Sequence, residues 1–250
     1  MSVRVGRIIY KDGKQIIPSY KNYTPIVILS KSSKYGVLSP FCLKDSKNRI
    51  MENIWQFAKV YKEVPKIKQP YSRYDSTVVW ECPKETHVNN EEVLTEEFWK
   101  WRKTGMNCEY PIRYPVGYAN KHKCIGSFLD EDSKEIQLLD YIDARKQIYF
   151  PLYCEMIKKH PDFTKLQERL IKGENLLICE IDVAYMEEIN YYCEKYGVQN
   201  DGKDDDFIVN YTMSINKRNI NIVLNDPKKP CGHGYGLACA LLKKESWLYK

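Results

Sequence analysis

The sequence predicts one compact α+β domain, with helices packed around a small mixed β-sheet. Strand-like and helix-like segments both occur along the chain. No internal repeat and no low-complexity linker divides it. Its 250 residues, 43% of them hydrophobic, suffice for a single core.

Each element follows from a local pattern. Residues 3–10 and 15–17 flank Lys11-Asp12-Gly13-Lys14, a hairpin turn with Asp-Gly at its centre. Residues 24–30 read as a buried strand and 32–40 as a loop of small and polar residues. The stretch 49–61 has helical period. At about 100° per residue, Met51, Ile54, Ala58 and Tyr61 form a core stripe. Glu52, Gln56, Lys59 and Glu63 share a second arc about 60° wide, with Trp55 at its border. Pro65 and Pro70 close that neighbourhood. Residues 78–80 suggest a short strand, and 95–103 a helix stopped by Gly105. A loop dense in Tyr, Arg, Lys and Gly spans 110–128. Residues 143–159 carry helical period with Pro151 at a helix start. A further helix covers 161–172 and is closed by Gly173. Residues 176–183 are a clear strand, and 211–216 with 220–224 suggest a hairpin. A Gly-rich loop then leads into an apolar helix, 232–242.

Bulk properties exclude several classes. The net charge of 39 − 33 = +6 is compatible with phosphate-bearing ligands without marking a nucleic-acid binder. No apolar run approaches the roughly 20 residues that cross a bilayer, so no membrane role is expected. The nine cysteines show no C-x-x-C spacing, and the first residues lack a secretory leader pattern. Reduced thiols in the cytoplasm, no zinc site and no cofactor are therefore expected. The acidic loop 201–206 lacks the alternating ligands and closing Glu of a calcium loop. There are 20 tyrosines against 7 Phe and 5 Trp; Tyr, Lys, Asn and Ile together suit an AT-rich genome, which accounts for part of that excess.

Three constellations can carry chemistry. The alternating glycines of Gly232-His233-Gly234-Tyr235-Gly236 let backbone approach a ligand, and the helix after them turns its N–H groups toward the loop. A phosphate suits that end; a tight turn packed on the core is the plainer reading. Residues 113–123, with Arg113, Tyr114, Tyr118 and His122, interleave cations and aromatics as a base-stacking, phosphate-holding loop does. An ordinary solvated loop reads the same way. On the helix face, Glu52, Gln56 and Lys59 are either a surface ion-pair ladder or a catalytic group.

In their order, these pieces resemble the NADAR superfamily of N-glycosidases. Gly36-Val37-Leu38-Ser39-Pro40-Phe41 is similar to that family's early loop, with Pro40 where Asn is usual. Glu52-Asn53-Ile54-Trp55-Gln56-Phe57-Ala58-Lys59 is similar to its Glu-x-x-x-Gln-x-x-Lys helix, with Asn53 where His is common. Met156, His160-Pro161, Leu166, Leu170, Gly173 and Leu177-Ile178-Cys179-Glu180 follow in the family's order. Gly232 to Leu242 resembles its closing turn and helix, with Tyr235 in place of a terminal Asn. The Trp-Gly after the strand has no counterpart, and tracts of about 80–128 and 183–224 look like insertions. The resemblance covers about half the chain and marks a divergent branch, for which a viral source and the host cytoplasm are one setting.

The resemblance implies a single NADAR-like domain, residues 1–250, that hydrolyses a ribose C1–N bond. Glu52 is then the catalytic carboxylate, Gln56 orients water or a ribose hydroxyl, and Lys59 keeps Glu52 ionised or binds phosphate. Trp55, Ser39, Phe41, Arg113, Tyr114, Tyr118, His122, Gly232, His233, Gly234 and Tyr235 are the substrate-binding candidates. Glu180 is a second carboxylate candidate, with a structural role beside it. The implied substrates are ADP-ribose on guanine in DNA or RNA, or a phosphorylated ribosylamine. The competing expectation is a non-catalytic nucleotide or nucleic-acid binder using loop 113–123; a structural or interaction protein is a third.

Overall fold

The computed structural model describes residues 2–32, 34–72, 75–129, 137–201, 203 and 206–249. In chain order, β1 (Val3–Arg7), β2 (Ile9–Lys11), β3 (Lys14–Ile16) and β4 (Thr24–Val27) come first. Then follow α1 (Met51–Phe57), β5 (Lys59–Tyr61), β6 (Glu63–Val64), β7 (Ile67–Ser72), β8 (Asp75–Cys82), β9 (Glu85–Thr86) and α2 (Glu96–Met106). After these come β10 (Cys124–Ser127), α3 (Tyr141–Ala144), α4 (Phe150–Lys158), α5 (Pro161–Ile171), β11 (Leu176–Glu180), α6 (Ile189–Tyr196), β12 (Thr212–Ser214), α7 (Lys217–Leu224) and α8 (His233–Leu241). The class is α+β as expected, with a small mixed sheet. The chain divides into two compact units, residues 1–39 with 150–250, and residues 40–149.

The first unit is built on a four-stranded sheet in the order β12-β1-β11-β4. Strand β1 runs parallel to β11 and antiparallel to β12, and β11 runs parallel to β4. The sequence of β11, Leu-Leu-Ile-Cys-Glu, is buried throughout, as a central strand covered on both faces must be. Helix α8 is buried along its whole length and packs on β1, β11, α4 and α5. The β2–β3 hairpin turns at Asp12-Gly13 as expected. Pro151 is not at a helix start as expected: the π-helical turn Arg145–Tyr149 runs directly into α4, and that widened turn just before the proline accommodates its missing N–H. The segment expected as the second strand of a hairpin near 220 is instead α7. Asn216 caps it, accepting the Asn219 N–H at 2.9 Å, and this cap outweighs the strand preference of Ile and Val. In the acidic loop 201–206, Gly202, Asp204 and Asp205 lie outside the described residues.

In the second unit, α1 is shorter than its periodicity predicts. Every residue from Met51 to Phe57 is buried, the helix ends at Ala58, and Lys59, Val60 and Tyr61 form β5 against β10. The Ala58 carbonyl accepts the Phe128 N–H at 2.9 Å, so β-pairing takes over where helical bonding would have continued. Glu63 accordingly sits in β6 and leaves the arc it was expected to share with Glu52. The buried guanidinium of Arg102, on α2, donates to the carbonyls of Phe57 (2.7 Å), Phe128 (3.2 Å) and Leu129 (3.1 Å). A cation is thereby placed at the negative end of α1.

Gly105 does not stop α2; it lies inside the helix, where a Cβ would stand 2.0 Å from the Phe57 ring. Small size here allows α2 to approach α1. Among the described residues, no helix is long and apolar enough to cross a membrane.

Gly105→Ala is expected to lower unfolding stability by about 1–3 kcal/mol through overpacking, measured by denaturant unfolding. Helix propensity alone would raise it by about 1 kcal/mol, so a stabilised variant would contradict the close approach.

Candidate functional site

In the second unit, the helix face expected to be solvated is buried: Glu52 is 5% exposed and Gln56 6%. Two backbone bonds set the start of α1. The Met51 N–H donates to Leu43 O at 2.9 Å, and the Glu52 N–H donates to Pro40 O at 3.0 Å. These carbonyls do the work of the absent side-chain cap at Ile50. Phe41 is half-buried.

The polar side chains of α1 answer one another in a directional chain. Lys59 Nζ donates to Gln56 Oε1 at 2.8 Å, and Gln56 Nε2 donates to Glu52 Oε1 at 2.8 Å. The ammonium also lies 4.8 Å from the centre of the Trp55 ring, which packs on Tyr149 at 5.1 Å. Burial, the largest influence, pushes the Lys59 ammonium below the usual lysine range; Glu52 and Cys124 pull it up, while Lys121 and Arg113 push it further down. The helix triad and the basic loop therefore share one electrostatic neighbourhood, although they are some 60 residues apart in sequence.

Asn53 makes that meeting possible. Wholly buried, it donates to Cys108 O (3.1 Å) and Tyr110 O (3.0 Å) and accepts the Ile112 N–H (2.7 Å). The chain leading into Arg113 is thus tied to the residue next to Glu52. Gln69 donates to Tyr114 O, and Trp80 Nε1 donates to Pro115 O at 3.0 Å. The β7–β8 pair thereby holds the other side of the loop. Residues Tyr118–Lys123 form a 3₁₀ helix. Tyr114 and Tyr118 stand edge-to-face at 5.0 Å, with Lys121 Nζ 3.9 Å from the Tyr118 ring centre. Arg113 lies 5.3 Å from the Tyr114 ring centre. Tyr118, 63% exposed, and the exposed His122 face solvent, while Tyr114 is half-buried. Sequence reasoning missed Asn53 and Lys121. The signal for Asn53 was a poor helix former set among Met, Ile, Trp and Phe in a short helix.

The first unit holds a second cluster. Only Gly232 precedes α8, as its N-cap; His233, Gly234, Tyr235 and Gly236 lie in the helix, and all five are buried. Gly234 N donates to Glu180 Oε1 at 2.8 Å, and His233 Nδ1 lies 2.8 Å from Glu180 Oε2. The positive end of the helix therefore faces a carboxylate of the chain itself, where a phosphate had been expected. Gly232 is needed for this approach: a Cβ there would stand 2.1 Å from Glu180 Oε1. His233 Nε2 meets Ile28 O at 3.3 Å, so both ring nitrogens face acceptors, and the imidazolium satisfies both. Burial, the largest influence, opposes that charge, but Glu180, Ile28 O and Asp182 outweigh it and raise the His233 pKa. Tyr235 Oη accepts the Ala184 N–H at 2.8 Å, a packing role. Ser39, 1% exposed, closes the short 3₁₀ turn Gly36–Leu38 through a 3.0 Å bond from its N–H to Gly36 O. Among the described residues, no group of three His, Cys, Asp or Glu side chains is placed to hold a metal ion.

Because the folded pKa of His233 lies above its ordinary 6.5, the ion pair contributes its full stability below that value and loses it as pH rises through the folded pKa. Thermal unfolding followed upward from about pH 6 should show this loss in wild type and a flatter profile in His233→Gln. Separately, Asn53→Ala should cost about 1–3 kcal/mol, because the Ile112 N–H and two carbonyls lose their partner. Proteolysis of that variant should begin earlier within residues 108–123.

No family model, no curated protein and no solved structure matches the chain.

Proposed function

We propose that the protein is an N-glycosidase that hydrolyses a ribose C1–N bond, with Glu52 as the catalytic carboxylate. The observation that carries this reading is a carboxylate 5% exposed, held by Gln56 at 2.8 Å, in one neighbourhood with the cations Lys59, Lys121 and Arg113. Breaking a C1–N bond builds positive charge on the sugar. A fixed anion beside C1 stabilises that charge more strongly when shielded from water, and it accepts a proton from the attacking water. Gln56 fixes the rotamer of Glu52 through its Nε2 and is itself fixed by Lys59. Lys121 and Arg113 suit a phosphate on the departing sugar or nucleotide. Tyr114 and Tyr118 offer stacking faces for a base. The resemblance to the NADAR superfamily supports the same assignment and suggests ADP-ribosyl guanine in nucleic acid, or a phosphorylated ribosylamine, as substrate. No cofactor enters this chemistry. The nine cysteines are unbridged, which fits the reducing cytoplasm proposed as its compartment.

A second reading is a non-catalytic binder of nucleotide or nucleic acid, favoured by the exposure of Arg113, Tyr118, Lys121, His122 and Lys123 on one short segment. Release of free ADP-ribose from guanine-ADP-ribosylated DNA separates the two. Wild type should release it, and Glu52→Gln should be slower by about 100-fold or more while binding the DNA equally well. Salt-dependent DNA binding without release, unaltered by Glu52→Gln, would assign the protein to the second reading.

A further inference from the structure

The hairpin β2–β3 stands out in the first unit because nothing covers it. Among the described residues its two strands pair only with each other, and every strand residue but Ile9 is exposed. Tyr10 is 58% exposed, Ile16 42%, and Ile17, directly after β3, 43%. A two-stranded sheet open to water on both faces is marginal by itself. Asp12 (φ 51°) and Gly13 (φ 74°) both take the left-handed conformation of a tight two-residue turn. In such a hairpin Lys11 and Lys14 close the turn, so the main-chain N–H and C=O of Gln15 point away from β2, to the outer edge. The register divides the side chains into two unlike faces. Lys11 lies opposite Lys14 and Ile9 opposite Ile16, on one face; Tyr10 and Gln15 lie opposite each other on the other. Neither lysine has an ion-pair partner among the described residues. Like charges directly opposite weaken a ladder, and a carboxylate beside them offsets that repulsion.

We propose that the outer edge of β3 docks an extended segment of a protein partner in which acidic and apolar residues alternate. The segment adds as a third strand and pairs its main chain with Gln15. Side chains of a strand alternate in direction, so its carboxylates lie on the face of Lys11 and Lys14 and its apolar groups on the face of Tyr10. The chain's net charge of +6 favours the approach of such a segment. A second copy of this chain is a poorer occupant, because two hairpins joined edge to edge gather four lysines on one face. Lysines on an edge strand guard against self-pairing in this way, and the same charge admits an acidic strand. This surface belongs to the first unit and takes no part in the chemistry proposed for Glu52.

The test titrates the intact chain with a short synthetic peptide of strictly alternating Glu and Val, and with its Lys–Val counterpart, at about pH 7, where these side chains are charged. Fluorescence anisotropy of the labelled peptide reads binding, and amide hydrogen exchange reads where it occurs. Wild type should bind the Glu–Val peptide saturably, more weakly as salt rises, with new protection at the Gln15 amide. The double variant Lys11→Glu, Lys14→Glu should bind it about tenfold more weakly or worse, and should take up the Lys–Val peptide instead. Gln15→Pro removes an N–H that β2 does not use, so it should abolish binding while the circular dichroism spectrum and Tm stay those of wild type. Absence of saturable binding by wild type, binding untouched by the charge reversal, or protection only outside residues 14–17 would each overturn the proposal. So would two other occupants of the same edge: binding to phosphatidylserine vesicles without peptide binding, or a dimer of the chain that Gln15→Pro dissolves.

Discussion

Complete burial of α1 is the constraint on which the second unit depends. A seven-residue helix has too few internal bonds to be stable alone, so tertiary packing must hold it. Packing that encloses all of it also encloses a carboxylate and two carboxamides, and buried polar groups must be satisfied from within. The consequences can be followed residue by residue. Gln56 is positioned between Glu52 and Lys59, Asn53 ties down the backbone that leads to Arg113, and Arg102 satisfies the carbonyl at the helix end. The candidate site is largely what burial of this helix requires.

The first unit solves a similar problem differently. Its buried carboxylate, Glu180 at the end of β11, is matched by an imidazolium and by a helix N–H from α8. That arrangement ties the central strand to the central helix. It leaves both Glu180 oxygens engaged within the protein. Glu52 is held differently: it accepts from the Gln56 amide, which in turn accepts from the Lys59 ammonium. Of the two carboxylates marked as candidates, Glu180 has both oxygens engaged within the protein, and the proposed catalytic role falls to Glu52.

Much of the fold was legible because it rests on local rules. The Asp12-Gly13 hairpin, the strand Leu176–Glu180, the helix Pro161–Ile171 and the apolar helix at the end all follow from turn chemistry, proline placement or unbroken apolar runs. Errors came where a distant partner overrode the local pattern. Periodicity carried α1 through Tyr61, but pairing with Cys124–Ser127 claims Lys59 onward. Gly105 looked like a stop because its reason, the Phe57 ring, lies 48 residues away in the chain.

The amino-acid sequence by itself determined which chemical groups are present and how they are spaced: a carboxylate, an amide and an amine within eight residues, and a basic aromatic loop. Helical spacing alone was enough to put Glu52 and Gln56 side by side. Whether that face was wet or dry was decided only by tertiary structure. Burial is set by what packs on a helix, and here the covering elements come from the rest of the unit. The electrostatic meeting of Lys59 with Arg113 and Lys121 was likewise decided in three dimensions, because it depends on the hydrogen bonds of Asn53 to a segment more than fifty residues downstream. Desolvation and long-range pairing are properties of the folded chain, and those two effects turned an amphipathic stripe into a candidate site.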